Sequence, residues 1–488
     1  MEKFFLLNKW TKIQVVCLIL ATLFFTYGKI VASYNVQIVG IMFLWLNNLF
    51  FCFKNFGQRV LFFFFNITIY VFLLSRPSIS LMRGNIWWNW GKENIDFTMY
   101  SLILTLLSLF VGAAVFSQMK LKNFDRKQLQ PKNPRYRKIL LILSGLVYIG
   151  SLIVTIIINM EKLMFVRQNT YEAFYVSFHS TFPSYIQAIS WMTPFAICIF
   201  LACMPKKRIS YLVLGMYIIS TLPTLLTGQR AAIILNVLFA LVYFILRDYL
   251  QDSQKWINKF EKAMIIIGAP VMIITMGAYN YIRAQTYVET KGIFSLITDF
   301  FFKQGTSFDT LTFGHGMIPK LPFHEVKNYT FGGFIDTLKF GALGRFFTDN
   351  PLMGSNNGLE RGMISNSMAH NLAYVYRQDK YMEGNGNGSS YLLELYADYG
   401  YSGIIIASLL LGVLLILLVI ILKRNNAFLS MLSLVCISNV FFIPRASATG
   451  WLSFILKTSF VVPVLACFLG AFILDRLLSL KNREERIR

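Results

Sequence analysis

Residues Ile404–Leu422 read IIIASLLLGVLLILLVIIL, an uncharged run closed by Lys423 and Arg424. A helix of that length and apolarity crosses the hydrocarbon core of a bilayer, and the two cations mark where it emerges. Working outward along the chain, about twelve stretches of roughly 17 to 25 residues have this character. They centre near Val16, Phe43, Phe65, Leu106, Leu152, Phe195, Gly215, Leu238, Ile273, Leu411, Val435 and Val464. The chain of 488 residues is 56% hydrophobic, 16% aromatic and only 14% charged, with a mean hydropathy of +0.56. That composition excludes an ordinary soluble globule and predicts an all-α polytopic membrane protein with about twelve transmembrane helices.

The net charge of +23 would suggest nucleic acid in a soluble protein. Here its distribution makes it a topology signal, and no nucleic acid is expected. Lys3, Lys9 and Lys12 precede the first stretch, Lys54 and Arg59 follow the second, and Lys120 to Lys138 follows the fourth. Lys206 to Arg208, Arg247 to Lys262, Lys423 with Arg424, and Arg476 to Arg488 continue the alternation. Even-numbered connections are basic, so both termini are expected in the cytoplasm. Val31, Ala32 and Ser33 could follow a cleaved signal, but the long aromatic-rich first stretch suits an anchor better. Cys17, Cys52, Cys198, Cys203, Cys436 and Cys467 all sit in apolar runs and read as small buried hydrophobes.

Three segments are expected: 1–282 with nine spans, 283–390 as a large extracytoplasmic loop before the tenth, and 391–488 with three spans and a cytoplasmic tail. The loop is far longer than a usual connection, and its aromatics argue for order, as short amphipathic helices on the outer leaflet that cap a cavity. Trp87, Trp88 and Trp90 form an interfacial belt or a stacking surface for sugars. No internal repeat is evident.

Four motifs carry possible chemistry. Thr227, Gly228, Gln229 and Arg230 open a span from the outside, against both the charge bias and the helix dipole. An anion such as a phosphate or pyrophosphate, held by the helix start and the guanidinium fork, removes both objections. Gly384–Gly403, GNGNGSSYLLELYADYGYSG, leads into the tenth span from a helix start near Ser389. Its spacing puts Tyr391, Glu394, Asp398 and Tyr401 on one face, although acidic residues at a helix start can be merely solvated. His370 and Asn371 lie in a polar break, where a histidine can accept a hydroxyl proton; His315 and His324 read as loop caps. Arg445, in Ile443–Ala446, repeats the position of Arg230, with a loop carboxylate as the alternative partner. Arg283, Arg345, Arg361 and Arg377 are weaker members of that outer set.

The chain has no P-loop, dinucleotide fingerprint, HExxH, CxxC or Asp-x-Asp pair. Neither a metal nor any other cofactor is expected. TGQR at 227–230, GSSYLLELYADYGYSG at 388–403 and PRASATGW at 444–451 together make the chain resemble bacterial O-antigen and capsular polysaccharide polymerases of the Wzy type, relatives of the O-antigen ligases. The resemblance implies a multispan glycosyltransferase of the C superfamily that joins undecaprenyl-pyrophosphate-linked repeat units outside the bacterial cytoplasmic membrane. Ligase-like relatives carry a His-Asn pair just before such a lead-in; His370 and Asn371 match it, at a larger distance from Glu394.

On this reading Arg230 and Arg445, with Arg345 and Arg361, meet the pyrophosphate, His370 or Glu394 is the base, and Tyr391 and Asp398 contact sugar. Expected partners are the lipid-linked oligosaccharide, the bilayer, a flippase and a chain-length regulator. A lipid-linked oligosaccharide flippase and a glycan ligase are the alternative functions. A flippase needs cations along a path through the membrane, and these spans carry few charges in their middles.

Overall fold

A computed structural model describes residues 8–118, 133–250, 255–283, 292–347, 353–354 and 356–487. The basic stretch from Lys120 to Lys132 therefore lies outside the described residues. Among those described, helices dominate and there is no strand. Eleven helices are long and apolar enough to cross a membrane: Lys9–Ile30, Tyr34–Phe53, Phe56–Met82, Lys92–Gln118, Pro134–Gln168, Ser184–Ala202, Lys207–Leu226, Ala231–Tyr249, Lys259–Tyr279, Tyr391–Lys423 and Thr458–Lys481. Each coincides with an expected stretch. The span expected near Val435 is the shorter apolar helix Ala427–Val440; it ends at Phe441, ahead of a tight turn through Pro444. The protein is an all-α polytopic membrane protein.

Small and polar residues set the packing, as they must where lipid is as apolar as leucine. The helices Lys92–Gln118 and Tyr391–Lys423 cross at two glycines. A side-chain carbon on Gly112 would collide with the Leu409 carbonyl, and one on Gly412 with the Leu109 carbonyl. Buried asparagines tie the second, third and fourth spans: Asn48 donates to Asn66 Oδ1 at 3.2 Å and to the Leu106 carbonyl at 3.1 Å.

The bundle has two unlike ends. At one, basic residues close the helices: Arg137 donates to the carbonyls of Ala202 and Cys203 and to Asn425, and Arg247 to the Pro205 carbonyl. At the other, residues 292–390 form a layer of short helices, among them Ile293–Gln304, Thr306–Met317, Gly332–Phe340, Leu359–Ile364, Met368–Tyr376 and Gln378–Met382. Ser75 anchors this layer by donating to the Phe301 carbonyl at 2.9 Å, immediately after a π-helical turn at Tyr70–Leu74. Trp87 and Trp90 pack edge-on or tilted against Phe308 and Phe313, so both are part of the seat of this layer and not open platforms for sugar.

Candidate active site at the loop end of the bundle

The lead-in to the tenth span begins at Tyr391, not Ser389, and runs to Gly400, whose φ of 62° breaks the helix. That break undoes the four-residue face. Tyr401 turns to Tyr396, Phe97 and Tyr100, while Glu394 and Asp398 remain together. Glu394 is 2% exposed. Its Oε2 accepts the Ala448 N–H at 2.8 Å and its Oε1 accepts the Ser389 hydroxyl at 3.2 Å. Asp398 accepts the N–H groups of Tyr329 and Thr330 at 3.1 and 2.6 Å. Thr449 closes the triangle by donating to the Thr330 carbonyl.

Two motifs far apart in sequence are thus riveted together through a third segment, and the carboxylates are the rivets. Glu394 as base requires a hydroxyl to displace two hydrogen bonds inside a sealed joint, so the geometry disfavours that role. Asp398 has both oxygens engaged with backbone, and Tyr391 is 2% exposed. In this structure both are engaged with or enclosed by the protein's own atoms.

The histidine is placed differently. His370, on Met368–Tyr376, has Nδ1 3.0 Å from the Tyr381 hydroxyl, and its Nε2 has no hydrogen bond among the described residues. Burial, and then the Arg361 guanidinium, push its pKa down to about 3, so the imidazole is neutral. Asn371 points elsewhere: it donates to the Gly362 carbonyl at 3.0 Å and accepts from Lys327 at 2.9 Å. Burial lowers the Lys327 ammonium to about 8, with Asp336 opposing. The His-Asn pair therefore divides into one residue with a ring nitrogen that no described residue bonds and one that holds the layer together. Arg361 donates to the Gly354 carbonyl at 3.3 Å; burial lowers its pKa, and Tyr381 and Asp336 oppose this.

Arg445 arrives from the last link between helices, on the turn Ile443–Arg445. Its Nη1 lies 3.4 Å from the Gln304 carbonyl and 3.5 Å from Gln304 Oε1. No carboxylate among the described residues pairs with it. Burial lowers its pKa and the Tyr171 phenol, within electrostatic reach, opposes this; an arginine stays charged nonetheless. Tyr171 belongs to the short helix Tyr171–Ser177 and shares a hydrogen bond of 3.0 Å with Tyr175. The Tyr175 carbonyl accepts from Asn357 at 2.8 Å, and Asn357 donates to the Tyr381 carbonyl at 2.9 Å. This chain of contacts links Arg445 to His370 through Tyr171, Tyr175, Asn357 and Tyr381, a relation that no sequence pattern announced. Tyr171 stood out in sequence only as a member of the outer loop 160–183, and Tyr381 not at all, because neither falls in a motif.

Arg230 stands at the start of Ala231–Tyr249 and reaches the Met276 carbonyl at 3.5 Å. Met276 lies on Lys259–Arg283, which packs through Gly277 against Leu296 of the helix that ends at Gln304. Both arginines therefore abut one helix pair. Arg345 lies on Ala342–Phe347, but its side chain is outside the described residues, as is that of Arg283. A cavity of about 600 Å³ opens between Tyr171–Ser177 and Gln378–Met382, lined by Thr170, Glu172, Ser177, Lys380, Glu383 and Asn385 among others.

A family model described as O-antigen polysaccharide polymerase Wzy matches residues 13–476. No curated protein and no solved structure matches the chain. The family carries polysaccharide polymerase activity of the glycosyltransferase kind on lipid-linked oligosaccharide in a bacterial membrane. With nearly its whole length matched, the chain belongs to the Wzy family of O-antigen polysaccharide polymerases.

Proposed function

We propose that the protein joins undecaprenyl-pyrophosphate-linked repeat units at the outer face of the cytoplasmic membrane, with both termini inside, and releases undecaprenyl pyrophosphate. The observation that carries this reading is Arg445, a partly buried guanidinium whose hydrogen bonds go to a single glutamine and which has no carboxylate among the described residues. A low-dielectric cation of this kind is completed by an anionic ligand. The diphosphate of the donor supplies the charge, and Arg230 borders the same helix pair.

In the reaction a hydroxyl of the incoming repeat attacks the anomeric carbon of the growing chain. A new C–O bond forms, the bond from that carbon to the diphosphate oxygen breaks, and the electron pair leaves with the diphosphate, whose charge the arginines meet. The hydroxyl proton passes to Nε2 of neutral His370, steadied through Nδ1 by Tyr381. Arg361 depresses the basicity of His370 in the empty site. A diphosphate near Arg361 offsets that field, so the imidazole becomes a better base once donor is bound. The open pocket beside Tyr171–Ser177, with Thr170, Ser177, Lys380 and Asn385 in its lining, is where the saccharide would rest.

The test is reconstitution in vesicles with a synthetic undecaprenyl-diphosphate-linked repeat, following product length and released lipid diphosphate. Wild type yields one diphosphate per linkage. Arg445→Lys and Arg230→Lys lose about two to three powers of ten in rate per folded molecule, because an ammonium cannot reproduce the planar fork. Chain growth without diphosphate release, or full specific activity in both variants, overturns the reading.

A further inference from the structure

Arg76 was absent from every motif read in the sequence, yet it meets the same turn as Arg445. Its helix, Ser75–Met82, presses on the end of Ile293–Gln304 so closely that a side-chain carbon on Gly305 would lie 2.7 Å from the Arg76 Cβ. Arg445 touches the preceding residue, Gln304, from the other direction, and its guanidinium lies 5.9 Å from the ring of Phe72, one turn before Arg76. The Arg76 guanidinium covers the Phe302 ring at 4.5 Å, and its Nε pairs with Asp309 Oδ2 at 3.0 Å. It makes no other hydrogen bond among the described residues, so both Nη groups remain available.

We infer that Arg76 is a further diphosphate-binding residue, acting opposite Arg445 across the Gln304–Gly305 turn, with Asp309 as the residue that positions it. The inference rests on the donor assigned above and extends it to a third arginine. A guanidinium fixed through Nε presents its two terminal nitrogens as a fork, the geometry that suits two neighbouring phosphate oxygens. The flat Phe302 ring restricts the fork further. Asp309 is a modest rival to the ligand: burial pushes its carboxyl up to about 6, and Arg76 reverses this only in part. Arg76, Arg445 and ionised Asp309 together leave one positive charge at the turn, an unneutralised excess where a diphosphate is expected. The π-helical turn just before Ser75 is a distortion of a kind found often at functional sites, and it precedes the segment that carries Arg76.

The experiment measures binding of farnesyl diphosphate and farnesyl monophosphate to the full chain in lipid nanodiscs, with the folded fraction followed by size exclusion. Wild type prefers the diphosphate. Arg76→Gln weakens diphosphate binding about tenfold or more, the usual worth of a charge-assisted hydrogen bond. Arg76→Lys, which keeps the charge and can still pair with Asp309, is weakened too, and serves should the glutamine variant not fold. Asp309→Asn weakens diphosphate binding less than Arg76→Gln does and leaves monophosphate binding unchanged, so part of the preference is lost, because the fork keeps its charge but is no longer fixed. A purely structural ion pair gives a different pattern: Arg76→Gln and Asp309→Asn fail together and Arg76→Lys recovers, which overturns the inference. Diphosphate binding that Arg445→Lys abolishes and Arg76→Gln leaves intact removes Arg76 alone. Absence of diphosphate binding in wild type removes the donor assignment itself.

Discussion

A depressed histidine pKa makes a directional statement about pH. His370 titrates near 3 in the fold and near 6.5 in an unfolded chain. Between those values the unfolded chain holds a proton that the fold rejects, so stability rises with pH across that window. The contribution is complete above about 6.5 and is lost as pH falls toward 3. Arg361→Gln removes the lesser of the two causes and leaves burial, so the His370 pKa rises while staying below its ordinary value. Imidazole NMR resolves the change, and in the pH–rate profile the acid limb moves toward neutrality; an unmoved limb means that Arg361 does not govern this histidine. The sequence located His370 by its polar surroundings and Arg361 as an outer cation, but not that Arg361 and Tyr381 lie beside the histidine, which depends on how short helices fold back. It also offered Glu394 as an equal candidate. Its partner Ala448 is 54 positions away, and nothing local distinguishes a sealed carboxylate from an open one.

Among the elements, the lead-in helix Tyr391–Lys423 works as a splice between membrane and loop layer. Its Gly400 break explains where reading by helical period went wrong: the period was right on each side and failed across a residue at positive φ. If Glu394 is a rivet, Glu394→Gln keeps an acceptor for the Ala448 N–H and retains most activity, whereas Glu394→Ala strands that N–H and costs about 1–3 kcal/mol of stability. Thermal melting beside specific activity separates the outcomes. A thousandfold loss in Glu394→Gln at normal melting temperature would return the carboxylate to the chemistry.

For the molecule as a whole, hydropathy and charge were the most legible features. Eleven of the expected spans appear as long helices and the other as a shorter one, because crossing a bilayer depends on local composition and not on tertiary contacts. The layer of short helices was foreseen as such, but not the bounds or packing of each helix, since each is too short to declare its own boundaries. The orientation expected from the basic connections is open to a direct test. A cysteine placed at Asn357 should react with an impermeant maleimide from outside, and one at Lys127 should not; the reverse would invert the site. Arg445 carries a last consequence, for the lifetime of the protein in the cell. A cation held without an anion is a debt that the empty protein carries and the donor-bound protein does not, so donor raises the melting point by mass action. Marginally stable proteins are culled by proteases in proportion to their unfolded fraction. On the proposed function, stopping the supply of repeat units should therefore shorten the lifetime of the protein in the cell, which pulse-chase labelling measures; an unchanged lifetime contradicts this.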